Sequence, residues 1–218
     1  GVGTWRIAPG GKSVVFRSSA TMDTDERKRR EARFALNVRN AETPSVSLWS
    51  VPLPTASATM PTVATPPAAT RLTRDAQLAV TNFTLSPDSR YVGFTATPYD
   101  RYKRNITEEG IYADVYLLDR QDGRVERLTQ NDEVGESGLS FSPDSKWLAF
   151  SAPDDLTRYT MKNRRVYLRE VAASGGALRK LGDLDGDVSV SFWSADGRTI
   201  YFNEGWRATQ QLFALDVA

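Results

Sequence analysis

The stretch Leu85–Arg90 (LSPDSR) decides the fold, because the same phrase returns at three other places in the chain. Serine opens a turn, proline fixes φ at the next position, and a residue that must accept positive φ comes two positions later. A short apolar segment then leaves the turn, so each copy predicts a β-hairpin. Glycine accepts positive φ freely at Gly11 and Gly197, whereas Ser89 and Ser145 accept it at a cost. The four copies are Ile7–Lys12, Leu85–Arg90, Phe141–Lys146 and Trp193–Arg198.

Two further phrases follow each hairpin in a fixed order. The second phrase predicts a third strand, and its copies are Ser47–Val51, Asp114–Asp119, Arg165–Arg169 and Gln211–Asp216. The third phrase predicts a fourth strand, and its copies are Arg71–Thr73, Arg127–Thr129 and Arg179–Leu181. Each unit therefore holds four antiparallel strands, except that the last unit lacks the third phrase.

The spacing of the units indicates a β-propeller. Pro87 and Pro143 are 56 residues apart, and Pro143 and Ala195 are 52 apart, close to the roughly 40–50 residues of a propeller blade. The sequence therefore predicts an all-β fold: about four blades of a partial propeller, with one short helical insert, in a single domain. The predicted blades cover roughly 4–73, 80–129, 136–181 and 188–218. A β-sandwich with similar turns is the alternative, but the fixed order of the phrases favours radial repetition.

The composition excludes several kinds of function. The chain of 218 residues contains neither Cys nor His, so it cannot assemble a Ser-His-Asp triad or a zinc–thiolate site. The nucleophile motif G-x-S-x-G is also absent. A net charge of +1 gives no field that would attract nucleic acid, and no apolar run is long enough to span a membrane. We expect no cofactor and no catalytic residue in this chain.

The three phrases resemble the repeat of TolB-like propellers, with its S-P-D-G-K turn, L-Y-x-x-D strand and R-L-T strand. Unit length and inserts resemble the N-terminal propeller of the prolyl oligopeptidase family of serine peptidases, especially bacterial acylaminoacyl peptidases and dipeptidyl peptidase relatives. That resemblance implies a following α/β-hydrolase domain as partner, a peptide substrate and a gating role without catalysis, and it favours a periplasmic or secreted location over a cytoplasmic one. The alternatives are a non-enzymatic TolB-like interaction scaffold and a propeller coupled to an amidohydrolase. Since the chain has fewer blades than the family pattern, we expect it to be part of a larger propeller.

Inserts between the strands carry the candidate binding residues, because propellers bind partners through loops at one face. The segment 23–36 predicts a short helix with acids first and bases later. A second insert, 55–70, is rich in Pro, Ala and Thr and predicts a surface loop. In the third insert, 97–113, basic and aromatic side chains alternate and could stack on a ligand or pair with it. The candidates in that insert are Arg101, Tyr102, Arg104, Glu108 and Glu109.

A second set of acids precedes the third hairpin. In dipeptidyl peptidase relatives an acidic pair at about this place holds the amino terminus of the substrate, and that resemblance assigns ligand binding to Asp132, Glu133 and Glu136. The paired-glutamate motif itself is not reproduced here, and solvated loop acids are the alternative. The segment Asp183–Asp187 looks like part of a calcium loop, but Ser194 stands where the bidentate Glu is required, so a tight turn is favoured and no metal is expected. Open blade edges also predict self-association from strand edge to strand edge.

Overall fold

The computed structural model describes residues 2–19, 28, 31–32, 44–54, 67–75, 77–102, 110–130, 134–156, 163–182, 186–206 and 209–217. Within these ranges, fifteen strands form four separate antiparallel sheets. Three sheets have four strands each and the last has three, so the described strands form four blades of a partial propeller. Each cluster of core residues joins one sheet to the next sheet in chain order, so the sheets stack in series as propeller blades do, and the predicted fold class is confirmed for this part of the chain.

Each blade is a meander in which consecutive strands pair. Blade 1 consists of β1 (Val2–Ile7), β2 (Ser13–Ser19), β3 (Val46–Pro52) and β4 (Thr70–Arg71). Blade 2 consists of β5 (Leu78–Leu85), β6 (Tyr91–Pro98), β7 (Asp114–Asp119) and β8 (Val125–Arg127). Blade 3 consists of β9 (Ser137–Phe141), β10 (Trp147–Pro153), β11 (Arg164–Glu170) and β12 (Arg179–Leu181). Blade 4 consists of β13 (Phe192–Trp193), β14 (Thr199–Trp206) and β15 (Thr209–Asp216).

Helical structure is limited to short pieces in the described residues. Helix α1 (Tyr99–Tyr102) follows β6 directly. Of the predicted helix 23–36, only residues 28, 31 and 32 are described, and there the Ala32 N–H donates to the Lys28 carbonyl at 2.9 Å. That is the i to i−4 hydrogen bond of an α-helix. The rest of this prediction, and most of the predicted loop 55–70, lies outside the described residues.

The hairpin phrase folds in the same way in blades 2, 3 and 4. In blade 3, the Ser142 hydroxyl accepts the Trp147 N–H at 3.0 Å and donates to Asp144 at 2.6 Å. Asp144 in turn accepts the Lys146 N–H at 3.1 Å. Blade 1 has Ala8 and Gly10 in place of the serine and the aspartate, so its turn is closed by backbone hydrogen bonds alone. The predicted positive φ is confirmed, with values of 68°, 64°, 61° and 71° at Gly11, Ser89, Ser145 and Gly197.

The two serines with positive φ connect neighbouring turns. The Ser145 hydroxyl accepts the Asp88 N–H of the preceding blade at 3.0 Å, and the Ser89 hydroxyl donates to the Pro9 carbonyl of blade 1. These hydrogen bonds between blades offset the strain that a non-glycine residue meets at positive φ.

The core consists of three hydrophobic clusters, one at each contact between consecutive blades. A cross-strand pair of aromatic rings recurs at the same register in each blade. The stacked pairs are Phe94–Tyr116, Phe150–Tyr167 and Phe202–Phe213, with ring centroids 5.1, 5.7 and 5.4 Å apart. Phe16 and Trp49 hold the corresponding register in blade 1. Stacked rings in the core of every interface explain why the second strand and the third strand of each unit both carry an aromatic residue.

The register of β12 corrects the alignment of the third phrase. Trp49 pairs with Arg71 and Tyr116 pairs with Arg127, but Tyr167 pairs with Lys180 rather than with Arg179. The counterpart of R-L-T in blade 3 is therefore Lys180-Leu181-Gly182, one residue later than the sequence suggests. The apparent arginine match is wrong because sequence similarity alone does not fix which residues lie opposite each other.

Candidate functional site

The meander sends every insert of a given kind to the same end of the blades. Connections between second and third strands, and connections from one blade to the next, lie at one end, which we call the loop face. The hairpins of the first phrase and the connections between third and fourth strands lie at the opposite end, which we call the turn face. The connections β2–β3, β6–β7 and β8–β9 therefore start and end at the loop face, and the last of these, residues 128–136, is called the connector. The β3–β4 connection starts and ends at the turn face.

Helix α1 positions two of the predicted binding residues on the loop face. The Tyr99 N–H donates to the Gln77 carbonyl at 2.6 Å, which fixes the start of the helix against blade 2. Tyr102 is buried and acts as a packing residue. Arg101 is exposed, and its guanidinium lies 5.1 Å from the centre of the Tyr112 ring, at cation–π distance. Arg101 thus offers a positive charge at the surface, whereas Arg104, Glu108 and Glu109 lie outside the described residues.

In the described residues, the end of the connector at Glu136 lies against the end of the third insert. The Glu136 N–H donates to the Ala113 carbonyl at 3.5 Å, so the connector between blades 2 and 3 lies along the end of the insert that carries Arg101. Gly135 lies so close to the Gly110 backbone that a Cβ atom at this position would overlap the Gly110 carbonyl. Asp132 and Glu133, which precede this contact in the sequence, lie outside the described residues.

The Glu136 side chain is buried, since the residue is only 4% exposed. Its charge acts on three groups around it, namely Tyr116, Tyr167 and Arg164. Burial raises the pKa of Tyr116 to about 12, with a smaller contribution from the negative charges of Asp114 and Glu136, so this phenol stays protonated at neutral pH. Glu136 therefore lies beneath the loop face, close to these three side chains, and does not project into solvent.

Arg164 is the residue at this face that the sequence did not single out. Its guanidinium donates to the Ser151 carbonyl at 2.6 Å and to the Gly135 carbonyl at 3.0 Å, which ties the connector to blade 3. Burial lowers the pKa of Arg164, although the nearby charges of Asp187 and Glu136 act in the opposite direction. The only sequence signal was an arginine at the start of the third strand, and an arginine in that place is common in exposed strands as well.

The third phrase closes the same end of blades 1 and 2. The Thr73 and Thr129 hydroxyls accept the N–H groups of Leu48 and Val115 at 2.9 and 2.8 Å. The arginine of the third phrase bonds to the first residue of the second phrase, which is Ser47 in blade 1 and Asp114 in blade 2. Arg71 donates to the neutral Ser47 hydroxyl at 3.0 and 2.7 Å.

The corresponding pair in blade 2 is ionic. Arg127 forms a salt bridge with Asp114, whose side chain is buried, and Asp114 also bonds to the Thr129 hydroxyl at 3.3 Å. In blade 3, Lys180 pairs with Asp154 at 2.6 Å instead. The loop face therefore carries a different charge arrangement in each of blades 1, 2 and 3, built on one repeated backbone.

A nucleophile–base pair that depends on His or Cys cannot form at the loop face. The whole chain contains no His and no Cys. Across the described ranges, no group of three or more acidic residues lies close enough together to hold a metal ion. Carboxylates, guanidinium groups and aromatic rings suit hydrogen bonding and charge pairing with a polar ligand such as a peptide. Within the same ranges, no helix is long and apolar enough to cross a membrane.

Comparison with known proteins agrees with this fold. No family model matches the chain. Dipeptidyl-peptidase 5 of Arthroderma otae is 28% identical over 141 residues, which is 62% of this chain and 19% of that protein. The chain thus spans about 19% of the length of the curated relatives it matches. These relatives are fungal, whereas the sequence motifs suggested bacterial ones.

Solved structures show the same architecture at lower identity. A putative dipeptidyl aminopeptidase IV from Bacteroides ovatus superimposes with a TM-score of 0.61 at 14% identity, covering 98% of this chain and 31% of that one. A putative TolB from Agrobacterium tumefaciens gives a TM-score of 0.55 at 14% identity, covering 98% of this chain and 60% of that one. The chain therefore has the fold of a partial β-propeller, similar to that of the putative TolB and the putative dipeptidyl aminopeptidase IV.

Proposed function

We propose that this chain is part of the substrate-gating propeller of a serine peptidase of the prolyl oligopeptidase family and supplies no catalytic group itself. The observation that carries the proposal is the 28% identity with dipeptidyl-peptidase 5, found in a chain that folds into propeller blades and contains no His or Cys. A peptidase of this type needs a nucleophile and a base, so both would come from an α/β-hydrolase domain. The propeller would exclude folded proteins and admit short or extended peptides.

The loop face is the side from which this chain would contact a peptide. Arg101 offers an exposed positive charge, and in the sequence the acids Asp132 and Glu133 directly precede the part of the connector that hydrogen bonds hold through Gly135 and Glu136. In this proposal Asp132 and Glu133 bind the peptide ammonium through charge-assisted hydrogen bonds, together with Glu108 and Glu109 on the neighbouring insert, while Arg104 donates to carbonyl oxygens of the peptide. Glu136 is a positioning residue, because its carboxylate is enclosed.

The coding frame on either side of these residues tests the peptidase assignment. We expect further propeller repeats and then a G-x-S-x-G motif followed by Asp and His, the triad order of α/β-hydrolases. A frame that contains the propeller repeats but no such motif would overturn the assignment to a peptidase.

Peptide binding tests the role of the acids separately. We expect the purified chain to bind a short peptide with a free amino terminus more tightly than its N-acetylated form, measured by isothermal titration calorimetry. Replacing Asp132→Asn and Glu133→Gln together should remove that preference. The matched control is Glu170→Gln on the turn face, which should leave it unchanged. Equal binding of both peptides by the unaltered chain, or equal effects of the two sets of variants, would show that these acids do not select the amino terminus.

A protein-interaction scaffold without enzymatic activity is the second candidate. The similarity to the putative TolB structure, of which this chain covers 60%, supports it. Under this alternative the loop face binds another protein, and the surrounding coding frame lacks a hydrolase domain. Both candidates favour a location outside the cytoplasm, and fractionation of the source cells with an antibody to this chain would test that location.

A further inference from the structure

Blade 1 lacks two acids that recur at the turn face of the other blades. One acid lies in the hairpin phrase, and its copies are Asp88, Asp144 and Asp196. The other lies at the end of the third strand, opposite the first residue of the second strand, and its copies are Asp119, Glu170 and Asp216. Blade 1 has Gly10 and Pro52 at these two positions. The turn-face end of blade 1 therefore carries neither of the repeated acids.

The missing acids are the ones that pair with the basic residue of the hairpin phrase in other blades. In blade 2, Arg90 forms a salt bridge with Asp119 at 2.7 Å. In blade 3, Lys146 forms one with Asp144 at 3.3 Å. Lys12 stands at the same place in blade 1 and is exposed. Since the connection from β3 to β4 at this face also contains no Asp or Glu, blade 1 does not neutralise the charge of Lys12 here.

The contact between blades 1 and 2 is polar at the turn face, where the later contacts are apolar. At those later contacts an aromatic residue, a leucine and a valine belong to one hydrophobic cluster. They are Tyr91, Leu117 and Val171 between blades 2 and 3, and Trp147, Leu168 and Val217 between blades 3 and 4. Between blades 1 and 2 the same three positions hold Ser13, Ser50 and Arg120. All three positions therefore differ together, and we call Lys12, Ser13, Ser50 and Arg120 the polar seam.

Arg120 crosses from blade 2 to blade 1 and finds only neutral partners. Its guanidinium donates to the Ser13 hydroxyl at 3.0 Å and to the Ser50 hydroxyl at 3.4 Å. A third hydrogen bond goes to the Ser89 carbonyl at 2.8 Å. Burial lowers the pKa of Arg120, and no carboxylate of the described residues offsets this effect. A partly buried cation without a counter-charge is costly, so an anion that reached the seam would be stabilised there.

Lys12 has the length to act at the same place. Its counterpart Arg90 crosses the Tyr91 ring, with the guanidinium 4.8 Å from the ring centre, and reaches Asp119. Because Ser13 takes the place of that ring in blade 1, the ammonium of Lys12 can approach the Ser13 hydroxyl in the same way. Each serine hydroxyl that accepts a hydrogen bond from Arg120 also keeps its own hydrogen to donate. The polar seam thus offers two positive charges and two hydroxyl donors.

We propose that the polar seam binds a phosphate group at the turn face. Arg120 and Lys12 supply the positive charges, and the hydroxyls of Ser13 and Ser50 donate to the phosphate oxygens. Two cations without an acid suit a doubly charged phosphate better than a singly charged carboxylate. The site lies at the end of the blades opposite the loop face and does not depend on the proposed function.

The experiment titrates the purified chain with inorganic phosphate by isothermal titration calorimetry, in chloride buffer at about pH 8, where a phosphate group carries nearly two charges. We expect binding at one site, and weaker binding of acetate. Methyl phosphate is titrated in parallel. Equal binding of methyl phosphate supports a site for the terminal phosphate of a larger ligand, whereas binding of inorganic phosphate alone supports a site for the free anion.

Two variants test the seam in different ways. Arg120→Gln removes a charge but keeps a side chain that can bond to the serines, and we expect the dissociation constant for phosphate to rise about tenfold. Pro52→Asp removes no donor and instead restores the acid of the other blades opposite Ser13. Pro52 is exposed, so this variant should fold, and its carboxylate should also weaken phosphate binding about tenfold by taking the place of the anion.

The matched control compares the same phrase position in two blades. Lys12→Met should weaken phosphate binding, whereas Lys146→Met should leave it unchanged, because Lys146 already pairs with Asp144. Circular dichroism and the melting temperature without phosphate verify that each variant is folded. The proposal is overturned if the unaltered chain binds no phosphate. Binding that survives both Arg120→Gln and Pro52→Asp, or that falls equally with Lys12→Met and Lys146→Met, would also overturn it, since the anion would then bind elsewhere or without a specific site.

Discussion

The two ends of the blades differ in how closely they follow the repeat. At the turn face, serine, aspartate and backbone form the same hydrogen bonds in blades 2, 3 and 4. At the loop face, the second residue before the recurring aromatic of the third strand is Ser47, Asp114, Arg165 or Gln211, and its partners change with it. A hairpin of fixed length leaves few alternatives to its turn chemistry, whereas a loop of any length can join two strands. The turn face thus carries the architecture, and the loop face is free to carry function.

The largest effect is expected where the loop face is most crowded. Gly135→Ala places a methyl group on the Gly110 carbonyl, so backbone must move and we expect a loss of about 3 kcal/mol in the free energy of unfolding. The matched control is Gly110→Ala, whose Cβ would meet no atom within 4 Å. Urea denaturation of both variants measures the difference. Equal stabilities would show that the contact between the connector and the insert is loose, and that the loop face is not fixed by its backbone.

A smaller effect separates the ionic pair of blade 2 from the neutral pair of blade 1. Arg127→Ala leaves the buried Asp114 carboxylate without its salt bridge, and we expect a loss of about 2 kcal/mol because Arg127 is itself partly in water. Arg71→Ala removes hydrogen bonds to the neutral Ser47 hydroxyl and should cost about 1 kcal/mol.

The decisive variant converts one pair into the other. Asp114→Ser gives Arg127 the same neutral partner that Arg71 has in blade 1. Because Arg127 is retained, this variant should lower the free energy of unfolding by less than Arg127→Ala does. If both arginine variants destabilise equally in denaturant unfolding, the charge on the loop face has no energetic consequence, and the proposed contrast between the two blades is lost.

The sequence predicted the turn face in detail because its constraints are local. Ser86, Pro87 and Asp88 specify a turn within a few residues, and glycine at the matching position of two other copies indicated the positive φ that Ser89 has. The fixed order of the phrases then predicted the blades, because each blade repeats the same hairpin and the same following strands. Both inferences require only residues that are close in the chain.

The loop face was less predictable because its arrangement depends on contacts between distant segments. Glu136 was predicted as a ligand-binding acid, but its burial depends on the connector packing against the insert near Ala113, and no local pattern reveals that. Arg164 lies in blade 3, whereas its partner Gly135 lies in the connector between blades 2 and 3, so the sequence did not reveal their contact. Likewise, only the strand pairing shows that Lys180, and not Arg179, lies opposite Tyr167. The ligand-binding role of Arg101 and of the acids stays a prediction.

A third prediction tests whether the serines at positive φ are stabilising at the turn face. Ser145→Ala keeps the strained φ of 61° and loses the hydrogen bond to Asp88, so we expect a loss of about 1–2 kcal/mol. Ser145→Gly loses the same bond but relieves the strain, and its loss should be smaller by about 1 kcal/mol. Denaturant unfolding of the two variants isolates the backbone contribution, because both lack the hydroxyl. If alanine and glycine are equivalent, the positive φ is not strained and the serine is retained for another reason.

The smallest effect concerns acid, and it compares two copies of the same turn. The hydrogen bond from Ser142 lowers the pKa of Asp144, and the hydrogen bond from Ser194 lowers that of Asp196. Because each folded pKa lies below the ordinary value near 4, each carboxylate adds stability above about pH 4, and that stability is lost as the pH falls through the folded pKa. Asp144→Asn keeps an acceptor oxygen but cannot titrate, so its stability should change less than that of the unaltered chain in urea unfolding between about pH 5 and pH 2. Asp196→Asn should flatten the curve in the same direction, since its turn has the same hydrogen bonds. The opposing outcome is that one variant makes stability depend less on pH in the acid range while the other makes it depend more. The two turns would then be alike in geometry but not in energy, and the turn face would be uniform only in its backbone.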